Sequence, residues 1–301
     1  MIRVIDSHTA GQITRVIVEG APDLGAGTVA ERAERFRSNF DHFRSAVVCE
    51  PRGSDALVGA LLLPPADPAN AAGAIFLDSA GYPPMSGHGM IGLIASLEYL
   101  GRIRGSRSYV VETPAGLVGA EVHPSGEISY ENVSSFRHAK NVKVDQFTGE
   151  IAWGGNWYFF VDHDLTMTNP DTLAELARSI RKALARDGIT VPGGKPIMNI
   201  ALFGPASRRG VNSRNFVLRA SGAYGRSPSG TATSAKLACL YEDGLFTEGQ
   251  TWRQESVAGT VFDAYITVTD GVLRPTIRSN SFITAEAMLI VDERDPFCWG
   301  M

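Results

Sequence analysis

The chain contains an internal repeat, and this repeat constrains its fold more than any other feature of the sequence. The dipeptides Ser86-Gly87 and Ser229-Gly230 are separated by 143 positions (229 − 86). The same offset relates further identical residues over about forty positions, too many to be dismissed as chance. They are Ala80 with Ala223, Ala95 with Ala238, Leu97 with Leu240, Gly101 with Gly244, Glu112 with Glu255, Ala115-Gly116 with Ala258-Gly259, and Val118 with Val261. The sequence therefore predicts two homologous halves.

Each half contains the same local unit around its Ser-Gly dipeptide. A strand leads into a Gly-rich turn, and a helix of about four turns follows that is apolar nearly all round. The two helical segments read "MIGLIASLEYL" and "TSAKLACLYED". A helix that is apolar on all sides is buried, so we expect each half to wrap its sheet around a central helix. The fold class predicted is α/β (α+β), with two pseudo-symmetric halves.

Two further helices are predicted on the surface, over residues 28–47 and 169–188. Their capping signals are Thr28 in a capping box with Glu31, and Asn169 followed by Pro170, with Gly188 at the end. Most remaining segments alternate like β-strands, residues 47–63 among them. Residues 187–213 are rich in Gly and Pro, which predicts loops around one short strand.

Composition and charge exclude several functional classes. Of 301 residues, 44% are hydrophobic and 20% charged, as in ordinary globular proteins. The net charge of −4 gives no electrostatic footprint for nucleic acid or an anionic membrane. The N-terminus lacks the pattern of a signal peptide, and no apolar stretch reaches the roughly 20 residues of a membrane span. Three cysteines without CxxC spacing predict neither disulfides nor a metal site. We expect a cytoplasmic protein.

The Ser-Gly dipeptides mark the N-termini of the two buried helices, and such ends attract anions. Backbone N–H groups are unpaired there, and the helix dipole is positive. Gly87 and Gly230 would let a ligand approach the backbone closely. Two such ends that meet would bind one carboxylate and place Ser86 and Ser229 on opposite faces of it. That geometry suits two-sided proton transfer at the carbon next to the carboxylate. A single serine before a helix is usually only an N-cap, but the pair at a fixed offset favours the functional interpretation.

Several motifs along the chain resemble the proline racemase superfamily, which includes proline racemase, 4-hydroxyproline epimerase and trans-3-hydroxyproline dehydratase. The motifs cover nearly the whole chain: "DSHTAGQITRV", "EPRGSDALVGALL", "MSGHG", "ETPAG", "ENVSSFR", "GGNWYFF", "SRNFVL", "RSPSGTATSAKLA" and "NSFIT". The resemblance implies the fold of diaminopimelate epimerase: two halves, each a mixed barrel-like sheet around a central helix, with the site between them and no cofactor. The halves are placed at residues 1–128 with 283–301, and at 129–282.

The resemblance also implies site residues. Ser86 and Ser229 occupy the two catalytic positions, where the racemases and epimerases usually have cysteines. Some epimerases have Ser first and Cys second, and the dehydratases tend to have Thr at the second position. The substrate-binding residues implied are Gly87, His88, Gly230 and Thr231. No metal is implied, and the partner is a small cyclic amino acid bound by a monomer or homodimer.

This chain departs from the family pattern at several positions. Gly225 stands where an Asp is expected to hold the substrate ammonium. The smaller departures are Gln12-Ile13, Met90 and Ala232, where Glu-Pro, Thr and Gly are usual. A thiol titrates near pH 8.5, whereas a serine hydroxyl is far less acidic and needs a neighbouring base. Cys49, Cys239 and Cys298 lie outside both Ser-Gly turns and do not replace the missing thiols.

His88 is the only imidazole in either turn, and two roles for it stay open: contact with the substrate nitrogen, or a base that assists Ser86. The leading functional prediction is a cofactor-independent epimerase of a hydroxyproline or related cyclic amino acid. The length of 301 residues and the motif "GGNWYFF" favour the epimerase branch. A trans-3-hydroxyproline dehydratase-like lyase and a catalytically impaired binding homologue are the alternatives.

The departures generate a first prediction. The triple variant Ser86→Cys, Ser229→Cys, Gly225→Asp is expected to raise or create epimerisation of trans-4-hydroxyproline, because it restores both thiols and the ammonium ligand. Inversion at Cα, followed by NMR, measures the gain. A triple variant that folds but gains nothing would show that the pocket has diverged toward another ligand.

Overall fold

The computed structural model describes residues 1–165 and 169–301. The described chain divides into two compact units: Met1–Tyr130 together with Ser279–Met301, and Glu131–Arg278. The sequence predicts borders after residues 128 and 282. The first lies two residues before the observed border after Tyr130, and the second lies four residues after the observed border after Arg278. The difference at the second border arises because the last strand of the chain, residues 281–289, pairs along its whole length with the first strand.

The first unit is built on eight strands in one mixed sheet. They are β1 (Ile2–Thr9), β2 (Gln12–Glu19), β3 (Val58–Leu63), β4 (Ala72–Leu77), β5 (Ser108–Thr113), β6 (Gly116–Val122), β7 (Ile128–Glu131) and β18 (Ser281–Leu289). Their spatial order is β18-β1-β2-β3-β4-β5-β6-β7. The pairs β2/β3 and β4/β5 are parallel, and the other neighbours are antiparallel.

Two helices of the first unit lie on opposite faces of this sheet. Helix α1 (Val29–Val48) packs on β3, β4 and β5 through an apolar cluster that contains Phe36 and Val47. Helix α2 (Gly87–Tyr99) contacts β18, β1, β2 and β3 and also β6, near the other end of the strand order. The sheet therefore curls around α2, and residues 87–97 of the helix are buried. The predicted central helix is confirmed.

The second unit repeats this architecture. Its strands are β8 (Phe136–Val144), β9 (Phe147–Trp153), β10 (Trp157–Asp162), β11 (Thr190–Val191), β12 (Lys195–Pro196), β13 (Asn199–Gly204), β14 (Ser213–Leu218), β15 (Trp252–Ser256), β16 (Val261–Thr269) and β17 (Val272–Ser279). Eight of them follow the order β8-β9-β10-β13-β14-β15-β16-β17, with β10/β13 and β14/β15 parallel. Strands β11 and β12 form a separate hairpin.

The helices of the second unit match those of the first. Helix α3 (Pro170–Arg186) packs on β13 and β14, and helix α4 (Gly230–Glu242) contacts β8, β9 and β16. Helices α2 and α4 each have 13 residues, and their first residues are 143 positions apart (230 − 87). Gly101 and Gly244 follow their C-caps with φ of +69° and +70°, a conformation that favours glycine and ends a helix. The predicted repeat is confirmed in the structure.

The repeated pair Glu112 and Glu255 has a structural role in each unit. The buried Glu112 carboxylate accepts hydrogen bonds at 2.8 Å from the backbone N–H groups of Ala66 and Asp67. Glu255 likewise accepts one at 2.8 Å from the N–H of Ser207. Burial alone would raise the pKa of each carboxyl, but the hydrogen bonds prevail and lower it. Each glutamate thus fixes the loop that follows β3 or β13.

The capping signals of α1 and α3 are confirmed, but two strand predictions are wrong in detail. Both Thr28 and Glu31 form the capping box of α1, and Asn169 caps α3. Residues 47–63 are a strand only from Val58 onward, because α1 continues through Val48 and buries its last turn. Residues 187–213 contain three complete strands and not one, since a turn between β11 and β12 creates a short hairpin ahead of β13.

A glycine beside α4 provides a test of how closely that helix is packed. A Cβ at Gly154 would lie 2.2 Å from Thr231 O and 2.7 Å from Ala235 N, both backbone atoms. We expect Gly154→Ala to lower the free energy of unfolding by about 2 kcal/mol, because the helix must shift. Urea denaturation followed by tryptophan fluorescence measures the loss.

Gly119→Ala, in β6, is the matched control, since a Cβ there meets no atom within 4 Å. Its free energy of unfolding is expected to change by less than about 0.5 kcal/mol. Equal midpoints for the two variants would contradict the close packing of Gly154 against α4.

Candidate functional site

The N-terminus of α2 is capped by the first predicted catalytic residue. Ser86 has φ −137° and ψ 113°, ordinary extended values, and its Oγ accepts a hydrogen bond from Gly89 N at 3.3 Å. The side chain is buried, with 6% of the residue exposed. A Cβ at position 89 would lie 2.8 Å from Ser86 Oγ, so glycine at that position leaves room for the hydroxyl. Ser86 thus lies at the positive end of a buried helix.

Two threonines anchor the first turn of α2, which holds Gly87 and His88. Both residues are buried, and the carbonyl oxygen of His88 accepts hydrogen bonds from Thr9 Oγ1 at 3.2 Å and Thr14 Oγ1 at 3.4 Å. These hydroxyls come from β1 and β2 and fix the turn against the sheet. In the sequence, nothing marks either threonine except its place in the alternating segment "DSHTAGQITRV".

Ser229 caps α4 in the same position but with a different backbone. Its φ of +58° and ψ of 107° lie in a region that non-glycine residues rarely adopt. Such a conformation costs about 1–3 kcal/mol and persists only where the surroundings enforce it. Here Asn215 Nδ2 donates to Pro228 O at 2.7 Å, and Ser229 N donates to Ser227 Oγ at 3.4 Å. The strained residue is therefore held from its N-terminal side.

The Ser229 hydroxyl has a second hydroxyl as neighbour. Its Oγ accepts from Ala232 N at 3.4 Å and lies 3.3 Å from Tyr158 Oη. Tyr158 Oη in turn lies 2.6 Å from Thr231 Oγ1, to which Asn156 Nδ2 donates at 3.4 Å. Burial raises the pKa of Tyr158, so its phenol is neutral at physiological pH. Tyr158 lies in the motif "GGNWYFF", but the sequence does not predict its contact with Ser229, because the two residues are 71 positions apart.

The structure thus places Ser86, Gly87 and His88 together in the first unit, and Ser229, Gly230 and Thr231 together in the second. The two caps are equivalent in the repeat but chemically different. Ser86 is buried with ordinary dihedral angles, while Ser229 is half-buried, strained and beside a tyrosine.

The remaining departures from the family pattern are also placed. Gly225, where an Asp is usual, is buried, and its N donates to Val217 O at 2.8 Å. Met90 and Ala232 are fully buried, and Gln12 donates its Nε2 to Ala56 O. The three cysteines are free and buried, and burial raises the pKa of the Cys239 thiol. Cys239 therefore does not supply a thiolate.

Within residues 1–165 and 169–301, no group of three or more His, Cys, Asp or Glu side chains is arranged to hold a metal ion. None of the helices described there is long and apolar enough to span a membrane.

Comparison with known proteins gives consistent similarities along the chain. The family profile described as Proline racemase matches residues 4–301. A 4-hydroxyproline 2-epimerase of Xanthomonas campestris pv. campestris is 46% identical over 308 residues, covering 100% of this chain and 98% of that protein. A 4-hydroxyproline epimerase of Burkholderia pseudomallei is 48% identical over 308 residues, with the same coverage.

Among solved structures, a probable proline racemase of Agrobacterium radiobacter with bound carbonate superposes with a TM-score of 0.89 at 25% identity. The superposition covers 100% of this chain and 96% of that one.

The unequal backbones of the two caps generate a prediction about stability. Ser86→Gly is expected to lower the free energy of unfolding by about 1 kcal/mol, because glycine adds chain entropy and removes a cap. Ser229→Gly is expected to leave it unchanged or raise it by about 0.5 kcal/mol, since glycine adopts a φ of +58° without strain. Urea denaturation measures both, and equal losses in the two variants would refute the strain at Ser229.

Proposed function

Since the chain belongs to the proline racemase family, we propose that it epimerises 4-hydroxyproline at C2 without a cofactor. One observation carries the proposal: relatives 46–48% identical over the whole chain are 4-hydroxyproline epimerases. Inversion at C2 would convert trans-4-hydroxy-L-proline into cis-4-hydroxy-D-proline and would run in both directions. Two serine-capped buried helices, one in each unit, support this chemistry.

The helix N-termini supply the electrostatics of the proposed reaction. Amides in the first turn of a helix have no acceptor within the helix, and the dipole adds positive potential. We assign binding of the substrate, through its carboxylate, to Gly87, His88, Gly230 and Thr231, which lie in the first turns of α2 and α4. Negative charge that develops on the carboxylate when Cα loses its proton would be stabilised by these fixed donors.

The two serines would carry the proton transfers. Inversion requires that one group removes the Cα proton from one face while a second group delivers a proton to the other face. We assign these roles to Ser86 and Ser229, each of which takes either role according to the direction of reaction. A hydroxyl is a weaker acid than a thiol, so the rate depends on how well each alkoxide is stabilised.

The proposal is tested by NMR of the Cα proton in D₂O. With trans-4-hydroxy-L-proline, we expect the Cα signal to disappear and the resonances of cis-4-hydroxy-D-proline to grow. Ser86→Ala and Ser229→Ala are each expected to reduce inversion by about 100-fold or more, because each removes one proton-transfer group. L- and D-proline and the 3-hydroxyprolines complete the panel.

Thr28→Ala is the matched control for loss of a helix cap. It removes the N-cap of α1 at a cost of about 1 kcal/mol but lies outside both serine turns, so inversion should persist. If the wild-type Cα proton persists across the panel while line broadening shows binding, the protein holds a carboxylate without reacting on it. Loss of water from a 3-hydroxyproline would instead identify a lyase. Either result would contradict the proposal.

A further inference from the structure

Three hydroxyl groups form a continuous chain at the start of α4. Tyr158 Oη lies 3.3 Å from Ser229 Oγ and 2.6 Å from Thr231 Oγ1. We propose that Tyr158 is a positioning residue for Ser229, and that its hydroxyl supports proton transfer by that serine. This inference rests on the proposed function, because it explains how a serine replaces a thiol at one of the two catalytic positions.

The arrangement allows both protonation states of Ser229 to be stabilised. When Tyr158 donates to Ser229 Oγ and accepts from Thr231, the serine oxygen receives two hydrogen bonds, the other from Ala232 N at 3.4 Å. Two donors to one oxygen stabilise its alkoxide form. When the hydroxyls rotate the other way, Ser229 donates to Tyr158 and Tyr158 donates to Thr231. The neutral serine then has an acceptor for its proton.

The tyrosine is fixed by its surroundings. Tyr158 is 3% exposed and belongs to an apolar cluster with Ala232 and Ala235 of α4. Its ring stacks on Phe160 with centroids 5.8 Å apart. Because a buried hydroxyl must keep its hydrogen bonds, the Oη stays beside Ser229 Oγ and Thr231 Oγ1, and the side chain of Asn156 also hydrogen-bonds with it. A rigid second hydroxyl holds Ser229 Oγ in one place.

The proposed step is balanced without any further reactant. The O–H bond of Ser229 breaks as its proton moves to the carbanion at Cα, and the electron pair stays on the serine oxygen. A C–H bond forms, and the resulting alkoxide keeps the hydrogen bonds from Tyr158 and Ala232. In the opposite direction the alkoxide removes the Cα proton and the serine returns to its neutral state.

Ser86 has no equivalent arrangement. In the part of the chain that the structure describes, its Oγ hydrogen-bonds with Gly89 N, and no tyrosine hydroxyl contacts it. The effect of Tyr158 is therefore specific to the proton transfers in which Ser229 takes part.

The first test does not require turnover. In a Ser229→Cys background, the pKa of the introduced thiol is measured from the pH dependence of alkylation by iodoacetamide, resolved by peptide mass spectrometry. The native cysteines are buried and lie on other peptides or at distinguishable positions. Adding Tyr158→Phe is expected to raise the thiol pKa by at least about half a unit, because a donor to the thiolate is lost.

Tyr109→Phe in the same background is the matched control. Tyr109 is a buried tyrosine of the first unit whose hydroxyl donates to Arg104 O at 2.8 Å, so the thiol pKa should stay unchanged. Thr231→Val is a second variant: it keeps Tyr158 but removes its 2.6 Å partner, so Tyr158 donates to the sulfur alone and a lower thiol pKa is expected. A thiol pKa that neither Tyr158→Phe nor Thr231→Val changes would overturn the proposal.

The second test uses turnover by the otherwise native chain. Tyr158→Phe is expected to lower kcat about tenfold or more with KM within about twofold, because its hydroxyl acts through Ser229. In D₂O, the rate at which deuterium enters recovered substrate should fall more for one epimer than for the other. Equal slowing for both, or a change in KM alone, would mean that the ring only shapes the pocket. A wild-type chain without Cα exchange would refute the proposed function, while the thiol measurement would still decide the role of Tyr158.

Discussion

The structure depends on one constraint: in each unit, a helix with almost no polar face is enclosed by its own sheet. Such a helix has no lateral surface for ligands, so its polar chemistry is concentrated at its ends. At the N-terminal end the amides and the dipole act in surroundings that exclude water, where electrostatic interactions are stronger. Serine caps at these ends, together with the glycine turns around them, follow from the need to satisfy buried amides. The same arrangement is suited to binding a carboxylate.

Duplication gave the chain two such helix ends, and they are no longer chemically alike. Ser86 is a cap with relaxed dihedral angles. Thr9 and Thr14 fix the first helical turn that follows it, through hydrogen bonds to the carbonyl oxygen of His88. Ser229 has a strained backbone, and its hydroxyl is hydrogen-bonded to the phenol of Tyr158. In the proposed inversion each serine transfers one proton, so the slower of two unequal transfers would limit the rate. The unequal environments therefore matter more than the shared residue type.

Much of this architecture can be predicted from local sequence. The repeat, both buried helices, the caps at Thr28 and Asn169, and both Ser-Gly turns depend on neighbouring residues and on composition, and the structure contains them. The sequence predicts the end of α1 to within one residue. It predicts a strand for residues 47–63 because the β-branched Val47 and Val48 favour strands, although α1 continues through Val48. The φ of Ser229 and the Tyr158 contact depend on how β10 packs against α4. No local pattern in the sequence predicts how that strand and that helix pack together.

The return of the chain to its starting unit has a consequence for how the protein is made on the ribosome. Strand β1 is synthesised before the second unit, yet the edge of β1 that pairs with β18 stays open until residues 281–289 emerge, after the whole second unit. The second unit, Glu131–Arg278, is one continuous segment and is complete before β18 emerges. The nascent chain thus finishes its later half before its earlier one. For the interval between, β1 presents an open strand edge of the kind that recruits chaperones or pairs with other chains.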